Sequence, residues 1–106
     1  MLELEIAFHD EMIELYKRAR DDARYNATRF LGMINEQGGL ETARTIVNSP
    51  SVSEGYTALW EKGRLDLTVE ATILQPQWAP LFSDAERKIA VRRLREFGYK
   101  GKLPRF

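Results

Sequence analysis

The nine residues Leu65-Asp66-Leu67-Thr68-Val69-Glu70-Ala71-Thr72-Ile73 decide the fold. Apolar side chains alternate with polar ones along the whole stretch, and β-branched residues are frequent, which is the pattern of a half-buried strand. A strand needs a neighbour. The only other alternation, over residues 2–8, belongs to a longer pattern: Leu4, Phe8, Met12, Leu15, Tyr16, Ala19 and Ala23 recur at steps of three and four. That stripe predicts an amphipathic helix over 4–24 and leaves 65–73 without a partner in the chain. The segment therefore reads as a two-turn helix, with Asp66 as N-cap and Pro76 just past its end. The strand alternative would pair with the same segment of a second subunit.

Working outward, Ser53 is placed to cap a helix carrying Tyr56, Leu59 and Trp60 as core anchors, with Gly63 ending it. Asn26 is a good N-cap for an earlier helix lined by Phe30, Leu31 and Ile34, which Gly38-Gly39 stop. Gly32 inside that helix costs about 1 kcal/mol against alanine, which predicts close approach of a neighbouring backbone there. Leu40, Ala43, Ile46 and Val47 mark a short helix broken at Asn48-Ser49-Pro50. Downstream, 76–80 reads as an irregular link with Trp78 in the core. Ser83 and Glu86 form a capping box for a last helix reaching Phe97, after which Gly98 ends it and 98–106 is a basic tail. The expected fold is all-α: a compact orthogonal bundle of five to six helices, one domain over 1–106.

Length and composition agree with one core. The chain has 106 residues, with 16 Lys+Arg against 16 Asp+Glu, one histidine and no cysteine. Without cysteine there is no disulfide scaffold, no thiol chemistry and no common structural zinc site. No apolar run is long enough to span a bilayer and the acidic start is unlike a signal peptide, so a cytoplasmic protein with no membrane partner is expected.

Catalytic constellations are weak. His9 is followed by Asp10 and Glu11, but adjacent helical residues point apart, and no nucleophile elbow accompanies them. Glu54, Glu61, Asp66 and Glu70 could hold a divalent ion only if they converged, which their spacing does not require. The simpler reading gives Glu54 to a helix start, Asp66 to a cap, and Glu61 and Glu70 to pairing with Arg64 or a buried arginine. Gly38-Gly39 lacks the Gly-Lys-Ser/Thr of a phosphate loop. No enzymatic activity, cofactor or metal is expected.

Charge distribution says more than its sum. Residues 1–16 carry Glu3, Glu5, Asp10, Glu11 and Glu14 with no base, whereas residues 87–106 carry eight bases against Glu96 alone. Lys88, Arg92 and Arg95 fall at i, i+4 and i+7 on one helix face; Arg93 adjoins them, and Lys100 and Lys102 extend the surface along the tail. Such a stripe is the electrostatic footprint of a nucleic-acid binder. The competing reading has the basic end docking on the acidic first helix, within the molecule or across a homodimer. A helix-turn-helix over residues 41–60 fits less well, since its turn would contain a proline and run longer than usual.

Tyr25-Asn26-Ala27-Thr28-Arg29-Phe30, Met33-Ile34, Gly38-Gly39, Thr42-Ala43, Gly55-Tyr56-Thr57-Ala58-Leu59-Trp60-Glu61 and Gly63-Arg64-Leu65-Asp66-Leu67-Thr68-Val69-Glu70 together resemble a small bacterial protein family with no assigned activity. The likeness continues through Trp78, Pro80-Leu81-Phe82, Arg93-Leu94 and Gly98-Tyr99. The resemblance implies a self-contained bacterial domain found alone or beside DNA-cleaving domains, and it carries over no catalytic residue. The expected function is a non-catalytic binding module contacting nucleic acid through Lys88, Arg92, Arg93, Arg95, Lys100 and Lys102. The alternative is a protein-interaction or homodimerisation module.

Overall fold

Residues 2–106 are described by a computed structural model. In chain order it contains α1 (Leu2–Asp22), α2 (Thr28–Gln37), α3 (Gly39–Asn48), α4 (Glu54–Glu61), a 3₁₀ turn (Leu65–Leu67), α5 (Val69–Ile73), a 3₁₀ segment (Pro76–Leu81) and α6 (Asp84–Glu96). The described residues contain no strand, so the fold is all-α.

The deciding stretch is helical but broken in the middle. Thr68, not Asp66, is the N-cap of α5: its hydroxyl accepts from Ala71 N–H at 3.2 Å and donates to the Leu65 carbonyl at 2.7 Å. Asp66 instead turns outward, where both its oxygens accept from Arg64 at 3.0 Å. Leu65, Leu67, Val69, Glu70, Thr72 and Ile73 are all buried. A segment enclosed on nearly every side has no solvent face to give it a helical period, and its polar residues are met from within: Thr68 and Thr72 donate to backbone carbonyls and Glu70 accepts from Arg93.

One hydrophobic cluster draws on every helix. The α1 helix buries Phe8, Met12, Leu15 and Ala19 and packs on α2, α3 and the Pro76–Leu81 segment. Phe8 meets Trp78 and Phe82 edge-to-face, at centroid distances of 5.2 and 5.3 Å; such pairs add about 0.5–1.5 kcal/mol each beyond area burial. Trp78 is buried as expected, on a regular 3₁₀ segment rather than an irregular link. The capping groups at Ser53 and Ser83 also form as expected.

Three local expectations are corrected. Ala27, not Asn26, stands at the N-cap of α2, and the Asn26 amide oxygen accepts from the Tyr16 hydroxyl at 2.6 Å. Trp60 is 45% exposed, its ring standing edge-on to Phe97, while Tyr56 and Leu59 are buried. A Cβ on Gly32 would meet nothing within 4 Å; the close approach is at Gly39, where it would lie 2.7 Å from His9 Cα. Gly38, with φ +87°, turns the chain from α2 directly into α3 in the left-handed region that glycine favours.

Candidate nucleic-acid interface

The geometry of α6 follows from its own sequence. Ser83 Oγ accepts from Glu86 N–H at 3.1 Å and Glu86 Oε1 accepts from Ser83 N–H at 2.9 Å, so two first-turn donors are satisfied reciprocally. Burial raises the Glu86 carboxyl, but the Ser83 backbone N–H and the Asn48 amide outweigh it, and the group sits below the usual carboxylate range. From that start, steps of three and four turn Ala90, Arg93 and Leu94 inward, with Val91 beside them, against α5 and α3.

Lys88, Arg92 and Arg95 therefore face outward, and all three are exposed. Arg92 has Glu96 at 3.9 Å, but both side chains are more than 60% exposed and the pair is screened by water. Lys100 and Lys102 are exposed on the tail. Lys102 borders a groove that also holds Asp22 and the Arg18–Glu11 and Arg64–Asp66 pairs. The chain end folds back: the Phe106 ring lies 5.3 Å from the Arg87 guanidinium carbon and 5.7 Å from the Lys88 ammonium.

Arg93 does not belong to this surface. It is 4% exposed; its Nη1 donates to Glu70 Oε2 at 3.1 Å and to the Ile46 carbonyl at 3.3 Å, and its Nη2 donates to the Ser49 carbonyl. One residue from Arg92 is about 100° around the helix, which places Arg93 with Ala90 and Leu94 rather than with the basic stripe. Glu70 is 1% exposed; burial pushes its carboxyl up, and the Arg93 guanidinium pulls it back. Glu70 thus finds the buried arginine that sequence reasoning asked for, whereas Arg64 holds Asp66. The sequence signal was available in the 90, 93, 94, 97 spacing.

The acids of α1 are partly engaged within their own helix: Arg18 donates to Glu11 at 2.9 Å and Lys17 to Glu14 at 3.4 Å. His9 forms no catalytic pair among the described hydrogen bonds; its Nδ1 accepts from Gly39 N–H at 2.9 Å. The four carboxylates at 54, 61, 66 and 70 do not converge, and the described residues hold no group of three or more metal-ligating side chains. Between α3 and α4 run five residues, 49–53, and α4 turns Tyr56 and Leu59 into the core. Among the described residues, no helix is long and apolar enough to cross a membrane.

No family model, curated protein or solved structure matches this chain.

Proposed function

We propose that this domain is a non-catalytic binding module that contacts nucleic acid through Lys88, Arg92, Arg95, Lys100 and Lys102. One observation carries the reading: these five cations are exposed, and among the described residues only Arg92 has a carboxylate within ion-pairing distance. On a molecule whose net charge is zero, the outward Lys88, Arg92 and Arg95 of α6 make a local positive field rather than a general one. Phosphate contacts of this kind bind without reading sequence. An electrophoretic shift series with a 30-mer duplex tests it: binding at about 50 mM salt should weaken steeply as salt rises. Neutralising Arg92 and Arg95 together should reduce the log–log salt slope by about 2. No retardation at about 50 mM salt, or an unchanged slope in the double variant, removes the reading.

A second reading is favoured by a different feature. Leu2 is 69% and Ile6 55% exposed on the first turns of α1, among Glu3, Glu5 and Asp10. An apolar strip edged with acids suits a protein partner or a second copy of this chain. Sedimentation velocity distinguishes it: a dimer weakened by Leu2→Ser with Ile6→Ser supports homodimerisation, and a monomer at micromolar concentration removes it.

A further inference from the structure

The tail sets an aromatic ring on the basic surface. Gly98, at φ +81°, reverses the chain after α6, and the Tyr99 N–H donates to the Leu94 carbonyl at 2.9 Å. Tyr99 and Leu103 then pack against the core, while Lys100, Lys102 and Arg105 stay exposed. So anchored, the tail returns toward the start of α6. There the Phe106 ring centroid lies 5.3 Å from the Arg87 guanidinium carbon and 5.7 Å from the Lys88 nitrogen.

Arg87 is the fixed side of this contact. It is half-buried, its Nε is enclosed without a hydrogen-bond partner, and it forms no ion pair among the described residues. Lys88 is exposed and long enough to swing toward a phosphate. Asp84, one turn before Lys88, is exposed and pairs with neither cation, and Glu86 is taken up by the capping box.

Phe106 itself remains 52% exposed, so much of the ring is open to a further partner. The other large exposed apolar side chains lie in different company: Leu2 and Ile6 among the acids of α1, and Trp60 against Phe97. An open aromatic face set among cations is what single-stranded nucleic acid requires, since an unpaired base offers its own π-face and its phosphates follow the charges. Inside a duplex, neighbouring bases already cover those faces.

We propose that the basic surface takes single-stranded nucleic acid, with one unpaired base stacked on Phe106 and the flanking phosphates met by Lys88, Arg92 and Arg105. The inference rests on the nucleic-acid reading above and adds the class of strand and the side chain that tells it apart. Stacking of this kind tolerates any base, so no sequence preference accompanies it.

Anisotropy titrations of the full chain at about 50 mM salt with labelled oligo(dT), an abasic strand of equal length and a duplex test it. The abasic strand is the reference, because it keeps the phosphates and removes only the bases. The parent should bind oligo(dT) about tenfold more tightly than the abasic strand. Phe106→Leu should lose that advantage, about tenfold on oligo(dT), and leave the abasic strand and the duplex unchanged. Phe106→Trp should hold oligo(dT) at least as tightly as the parent. Equal parent affinity for oligo(dT) and the abasic strand, an equal loss on both strands in Phe106→Leu, or a Phe106→Trp variant as weak as Phe106→Leu would each overturn it. If the duplex still binds, those results remove the stacking site alone. If no strand and no duplex binds, the nucleic-acid reading falls and this inference falls with it.

Discussion

Gly39 donates its backbone N–H to His9 Nδ1 at 2.9 Å, and the same glycine stands so near α1 that a Cβ on it would lie 2.7 Å from His9 Cα. The two facts have one origin. Because Gly38 offers no capping side chain, the first donor of α3 has to be met from another element. A glycine at position 39 lets α1 come close enough for its imidazole to do so.

Substitution at the two helical glycines should therefore have opposite signs. We expect Gly39→Ala to destabilise by about 2 kcal/mol or more, since the obstructing atom is backbone and cannot step aside. Gly32→Ala, with open space around it, should stabilise by about 0.5–1 kcal/mol. Urea unfolding of the two variants beside the parent checks both.

The imidazole itself can be read directly. An Nδ1 that accepts from a backbone N–H places the ring proton on Nε2. Long-range ¹H–¹⁵N spectra at neutral pH should show that tautomer. His9→Ala should cost about 1 kcal/mol by orphaning the Gly39 donor, and a variant as stable as the parent would contradict the capping role.

The buried pair at Glu70 and Arg93 predicts strong non-additivity. Removing one partner leaves the other charge enclosed, so Glu70→Leu or Arg93→Met alone should each cost about 3–5 kcal/mol. The double variant should cost clearly less than the sum of the two. It will not reach parity, because the Ile46 and Ser49 carbonyls also lose their donor. A double-variant cycle in urea measures the coupling.

Acid sensitivity should trace partly to Glu86. Its carboxyl releases its proton more readily in the folded chain than in the unfolded one. Its stabilising contribution is therefore complete above the ordinary glutamate value, near pH 4.5, and is lost as pH falls through the lower folded value. Glu70 works in the opposite sense, since burial raises its carboxyl and acidification relieves the cost of its charge. Comparison with Glu86→Gln isolates the first effect, because glutamine keeps the capping geometry without the titration. Melting temperatures from pH 7 to pH 3 should converge on acidification, with the parent losing its advantage.

What the sequence reveals about this fold is local chemistry. The helical stripe of α1, the Ser53 cap and the Ser83–Glu86 box all depend on residues within a turn or two of each other, and each forms as read. Asn26 and Asp66 have equally good capping side chains, yet other partners claim both: the Tyr16 hydroxyl of α1 takes one, and Arg64, two residues upstream, takes the other. Gly32 and Gly39 look alike in sequence, and only the crossing of α1 over α3 separates them. The basic stripe was legible as charge, but including Arg93 in it overlooked that its spacing to Ala90 and Leu94 is that of a core face. A cavity lined by residues of α1, α2, α3, α4 and α5 left no mark in the sequence, because no short-range pattern records where helices from separate stretches of chain fail to meet.

Arg93 bonds α6 at once to Glu70 of α5 and to two carbonyls at the end of α3. Three separate stretches of chain are thereby clamped behind the outward cations of α6. Lys88, Arg92 and Arg95 consequently project from a stiff platform, so the backbone beneath them is ordered during folding and docking need not freeze it again.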